Sequence, residues 1–149
     1  MTKDVLISIK GTQGIDDNTD TIELTTIGRF GKRDQSFFMS YDESEISGLG
    51  NVKTVLHVRN DGSVVLQRSG EYESRLTIQS GVRNTCFYNT PYGDMVIGIF
   101  GESVQNSLNT DGGELSFSYT IDSNLQLISH NVIEISVKGV KNNHVDSCL

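Results

Sequence analysis

Val52-Lys53-Thr54-Val55-Leu56-His57-Val58-Arg59-Asn60-Asp61-Gly62-Ser63-Val64-Val65-Leu66-Gln67-Arg68 holds two alternating runs on either side of an Asn-Asp-Gly break. Val52, Thr54, Leu56 and Val58 recur at period two, which puts them on one face of a strand, and Val64 and Leu66 resume the pattern after the break. Asp-Gly supplies the positive φ angles of a type I′ turn, so the stretch predicts an antiparallel hairpin. If Val64 and Leu66 point inward, so does Arg68.

The same alternation extends in both directions. Ile22, Leu24, Thr26, Gly28 and Phe30 share one face, as do Phe37, Met39 and Tyr41. Further on come Leu76 and Ile78, Cys86 and Tyr88, then Met95, Ile97 and Ile99. Leu115, Phe117, Tyr119 and Ile121 follow, and finally Ile133, Ile135 and Val137. These runs make roughly nine to eleven strands, more than one open twisted sheet usually carries. Asp111-Gly112-Gly113 and Asp122-Ser123-Asn124 read as turns, and so does the segment around Pro91, the only proline. Ile15 to Asp20 is acidic and reads as a solvated loop, while Val104 and Leu108 fit either one helical turn or a short strand. The expected fold is all-β: a small antiparallel barrel of roughly eight to ten strands, with a two-sheet β-sandwich as the alternative.

At 149 residues the chain is expected to form one domain, 1–149, with an ordered core over about 4–138 and a frayed tail from 139 to 149. Lys and Arg number 12 against 19 Asp and Glu, a net charge of −7, which argues against nucleic-acid binding and against anionic membranes. Charged residues interrupt the N-terminal run Met1 to Lys10, which reads as a first strand and not as an export signal. No apolar run is long enough for a transmembrane helix. Two cysteines, Cys86 and Cys148, make no disulfide framework, and no asparagine stands in a glycosylation sequon. A cytoplasmic location is expected.

Several spaced motifs together resemble the YwiB-like family, a small bacterial family of unknown function. They are Val5-Leu6-Ile7-Ser8-Ile9-Lys10-Gly11, Tyr41-Asp42-Glu43-Ser44-Glu45 with Gly48, and Tyr88-Asn89-Thr90-Pro91-Tyr92-Gly93, with Gly112-Gly113-Glu114-Leu115 and Ser129-His130-Asn131 after them. The resemblance covers residues 4 to 138 and implies a lipocalin-like, or calycin, barrel in a cytoplasmic bacterial protein. It implies no reaction and no functional residue.

No familiar chemistry is spelled out. His57, His130, His144, Cys86 and Cys148 lack the paired spacing of a zinc site, so no metal is expected. Gly101-Glu102-Ser103-Val104-Gln105 begins like a nucleophile elbow but lacks its closing glycine. Cys86 falls on an inward face, where a thiol acts as a small hydrophobe. Gly48-Leu49-Gly50 and Gly98-Ile99-Phe100-Gly101 lack the ending of a phosphate loop. The carboxylates at Asp16, Asp17 and Asp20 and at Asp42, Glu43 and Glu45 read as solvated faces.

What remains is the barrel interior. Arg68, Tyr41, Tyr88 and Tyr119 fall in register with inward apolar residues, and an arginine among tyrosines at a barrel mouth can hold the carboxylate or phosphate of a small amphiphile. The competing reading has Arg68 reaching into solvent and the tyrosines filling a solid core. A non-enzymatic binder of a small amphiphilic or anionic molecule, without cofactor, is the expected function. The alternative is a solid barrel acting through its outer surface or a homodimer face, with Phe38, Val55, Val65, Phe87, Val96 and Phe100 outward. An enzyme assembled from separate loops is the third.

Overall fold

The computed structural model describes residues 2–42, 52–70, 73–90 and 93–140. They form ten strands: β1 (Thr2–Ile15), β2 (Asn18–Arg33), β3 (Ser36–Asp42), β4 (Val52–Val58), β5 (Val64–Gly70), β6 (Ser74–Ile78), β7 (Arg83–Thr90), β8 (Gly93–Asn109), β9 (Gly112–Ser123) and β10 (Gln126–Gly139). Each strand pairs antiparallel with its sequence neighbour, and β1 also pairs with β10, from Val5↔Gly139 to Gly14↔His130. That last ladder closes the sheet into a barrel and removes the edges that a two-sheet sandwich would leave. The thinnest seam lies between β6 and β7. Its ladder among the described residues is Ser74↔Tyr88, supplemented by the Gln79↔Val82 bridge and by Asn84 Nδ2 donating to the Thr77 carbonyl at 3.3 Å.

Alternation sorts the side chains. Val5, Ile7, Phe30, Met39, Leu56, Leu66, Leu76, Ile99, Leu115 and Phe117 are buried inside, while their sequence neighbours mostly face solvent. The end carrying the β2–β3, β4–β5 and β6–β7 turns is closed by apolar residues. Phe30 and Phe37 stack with centroids 5.8 Å apart, and Val58, Val64 and Ile78 are fully buried towards the same end. Among the described residues, the interior opens at the opposite end, with the β1–β2 and β9–β10 connections.

Three local expectations change, and one open choice is decided. The β4–β5 connection is not a two-residue type I′ turn: Asn60, Asp61 and Gly62 all lie in the loop, Arg59 N donates to Ser63 O, Gly62 N donates to Arg59 O, and Gly62 alone has positive φ, 89°. Asp61 then serves as a side-chain acceptor, taking the Ser63 N–H at 2.8 Å and its hydroxyl at 2.6 Å. The acidic stretch after Ile15 is no long loop. Strand pairing runs to Ile15↔Asn18, so only Asp16 and Asp17 turn, with Asp16 at φ 53°. Val104 and Leu108 belong to the long β8 strand, not to a helical turn, and Val65 is buried although it points outward. Val65 pairs with His57, whose ring stacks on Phe38 at 4.1 Å, so this outer strip covers itself. The predicted turn at Pro91 and the tail beyond Val140 lie outside the described residues.

Candidate functional site

Cross-strand register decides which distant residues meet, because directly paired residues share a face. Tyr41 on β3 pairs with Thr54 on β4, Thr54 with Arg68 on β5, Arg68 with Ser74 on β6, and Ser74 with Tyr88 on β7. Tyr41, Arg68 and Tyr88, separated by many residues in sequence, therefore stand in a single row across five strands. The backbone of Tyr88 holds that position, and its side chain lies outside the described residues. Tyr119 belongs to a second row, on the other wall, in which it pairs with Asn131 of β10, Asn131 with Gln13 of β1, and Gln13 with Asp20 of β2.

The two rows look into one cavity of about 500 Å³. Tyr41, Arg68, Tyr119 and Asn131 line it together with Leu24, Leu56, Leu66, Leu76, Ile121 and Ile133, and Gln13, Asp20 and Thr21 stand at its mouth. The size is that of a small-molecule pocket, and the lining is apolar with a few polar groups, the composition that such pockets favour. Tyr41 and Tyr119 are buried and Arg68 is half-buried, so the arginine is within reach of the cavity and not wholly in solvent. Asn131 and its neighbour Ser129 are buried polar residues on the same inward face of β10, and Asn131 Nδ2 donates to Ser129 Oγ at 3.1 Å.

The model of a family described as a domain of unknown function (DUF1934) matches residues 7–135. The chain belongs to that family. The uncharacterised β-barrel protein YwiB of Bacillus subtilis (strain 168) is 26% identical over 115 residues, covering 77% of this chain and 79% of that one. The crystal structure of the ywiB protein from Bacillus subtilis superposes with a TM-score of 0.82 at 23% identity, covering 94% of each chain, and so supports the barrel. The family match takes in both polar rows. No helix among the described residues is long and apolar enough to cross a membrane.

The other candidates are dispersed over the family's barrel. Cys86 is half-buried on β7, and burial raises its thiol pKa, which disfavours the thiolate. His57 lies on the outer strip with its Nε2 buried and without a hydrogen-bond partner among the described residues. Burial, then the positive charges of Arg59 and Arg75, lower its pKa and hold the ring neutral. His130 Nε2 meets Glu102 at 2.5 Å on the exposed face beside the β8 bulge. Gly101, Glu102 and Ser103 sit in that strand and not on a strand-to-helix elbow. Gly101 is there because a Cβ would lie 2.2 Å from the Gln79 carbonyl oxygen. Among the described residues no three His, Cys, Asp or Glu side chains converge as a metal site would require. Glu43, Glu45, Gly48-Leu49-Gly50, His144 and Cys148 lie outside the described residues, and Asp42 is exposed at the end of β3.

Asn131 is the site residue that sequence reading passed over. It is part of the Ser129, Asn131, Ile133, Ile135, Val137 alternation, and its signal was a polar side chain at an inward position.

Proposed function

We propose that this protein binds a small anionic amphiphile in the open end of its barrel, with Arg68 as the partner of the head group and the leucines and isoleucines of the cavity around the tail. The observation that carries the reading is that Arg68, Tyr41 and Tyr119 line one cavity of about 500 Å³ whose remaining wall is largely apolar. A guanidinium gives paired, charge-assisted hydrogen bonds to a carboxylate or phosphate, and tyrosine rings add flat apolar area with a hydroxyl at the rim. The reading is of a lipocalin-like container, cytoplasmic and non-catalytic.

Titration calorimetry with octanoate and octylamine, which share a tail and differ in head-group charge, tests it. Octanoate should bind more tightly than octylamine, and Arg68→Ala should weaken octanoate by about 1.5–3 kcal/mol. Equal binding of the two, or an unchanged affinity in Arg68→Ala, would remove Arg68 from this role.

A second reading is favoured by the β7–β8 outer face. Phe87 and Val96 are cross-strand partners with 71% and 54% of their surfaces exposed, and Phe100 is also exposed. Adjacent apolar residues this open suit a homodimer contact. Light scattering of the native protein beside Phe87→Asp checks it: a dimer that the substitution splits supports it, and a native monomer ends it.

A further inference from the structure

The cavity has two polar walls, and Arg68 stands on only one of them. In the closed strand order, β5 and β10 are five places apart whichever way the ring is followed, so Arg68 and Asn131 enter the same cavity from opposite sides. Both lie in the halves of their strands nearer the open end. The Arg68 side is cationic. The Asn131 side carries no cation in its paired row: Tyr119, Asn131, Gln13 and Asp20 offer amide, hydroxyl and carboxylate oxygens.

Asn131 is 5% exposed. Its amide Nδ2 donates to Ser129 Oγ at 3.1 Å, and the residue lines the cavity. An amide carries a carbonyl oxygen as well as an N–H, so Asn131 can accept from a ligand N–H or O–H in a largely apolar pocket. Deeper in the barrel than the two poles lie Leu56 and Leu66 on one wall and Ile133 and Leu24 on the other, an apolar floor.

Resting on the binding reading above, we propose that the ligand is bipolar: an anionic group at Arg68 and, beyond a short apolar spacer, a hydrogen-bond donor such as an amine or hydroxyl at Asn131. Gln13 and Asp20, at the mouth beside Asn131, add acceptors for the same donor and favour a cationic one. A simple fatty acid would place its carboxylate at Arg68 and leave Asn131 facing hydrocarbon.

The test compares plain carboxylates of six, eight and ten carbons with their ω-amino counterparts by titration calorimetry. At least one ω-amino acid should bind ten-fold or more tightly than the plain acid of its length. Asn131→Leu should abolish that advantage while leaving the plain acid within two-fold, and Asn131→Asp, which keeps the shape and strengthens the acceptor, should preserve or enlarge it. Thermal melts of both variants confirm folding, and Asn131→Asp carries the test if the leucine variant fails to fold. Plain acids that bind as well as the ω-amino acids at every length would overturn the bipolar ligand and leave the anion reading standing. No binding by either series would overturn both.

Discussion

Arg83 on β7 reaches past β8 to Asp122 on β9, with Nε on Oδ2 at 2.9 Å and Nη2 on Oδ1 at 2.6 Å. The two residues are separated by an intervening strand, and what lets them meet is Gly98, the β8 residue paired with Asp122. A Cβ at Gly98 would lie 2.2 to 2.5 Å from the guanidinium atoms, so the arginine occupies the space a side chain would take. Asp122 Oδ1 also accepts the Leu125 N–H at 3.1 Å and so ties the ion pair to the β9–β10 turn.

Gly98→Ala should therefore act as a loss of the Arg83–Asp122 pair and not as a backbone lesion, because Gly98 has no positive φ. Moving a flexible arginine aside is possible, so the barrel should still fold, with a melting temperature lower by about 2–4 °C. In the Asp122→Asn background the same substitution should have little further effect, which a double-mutant cycle by thermal denaturation would show. Additive losses would mean that Gly98 is required for some other contact.

Acid should find the same pair. The Arg83 hydrogen bond, with that from Leu125 N–H, holds the Asp122 carboxyl below the usual carboxylate range, and the Ser63 hydroxyl and N–H do the same for Asp61. The unfolded chain then binds protons at higher pH than the folded one, at about pH 4. The stabilisation is present above that value and is lost as pH falls through the lowered folded values. Melting temperature should thus fall as pH drops below about 4. Asp122→Asn should start lower at neutral pH and show a shallower acid limb.

Leu125 has φ 69° and Asn124 φ 52°, so the β9–β10 turn is of the kind that needs positive φ at both central residues. A leucine in that conformation is strained, and at 78% exposure its side chain gains little in return. Leu125→Gly makes the turn Asn-Gly and should stabilise by about 0.5–1 kcal/mol once the larger entropy of glycine in the unfolded chain is counted. Urea denaturation would measure it. A destabilised variant would mean that the Leu125 side chain has a partner.

Period-two reading found the barrel and part of both walls of the cavity because these are written in alternation: Tyr41, Arg68 and Tyr119 are inward simply by counting from buried neighbours. It did not reach Asn131 or Ser129, since polar residues at inward positions look like the end of a strand when the apolar run is what marks the strand. The β1–β2 hairpin is longer than its sequence suggests for the same reason. Asn18, Thr19 and Asp20 are strand residues at a solvated mouth, and polarity makes the stretch from Ile15 to Asp20 read as a loop. Val65 breaks alternation because the Phe38–His57 stack gives the outer face its own small cluster. The Arg83–Asp122 pair depends on the register of three strands, which no local pattern contains.

The container and the solid barrel differ most sharply in how they tolerate added volume. Ile133, half-buried on β10, faces the cavity, whereas Val64 is fully buried at the closed end. Enlarging a side chain in a packed core costs about 1–3 kcal/mol, because neighbours must leave their rotamers. A ring entering free volume meets no such resistance. Ile133→Phe should therefore change stability by less than about 1 kcal/mol while Val64→Phe falls in or above the packed range. Octanoate affinity should drop at least ten-fold in Ile133→Phe, since the ring takes the tail's place. Equal stability losses at the two positions would mean that the barrel is closed in solution, and the search for function would then move to the Phe87 and Val96 surface.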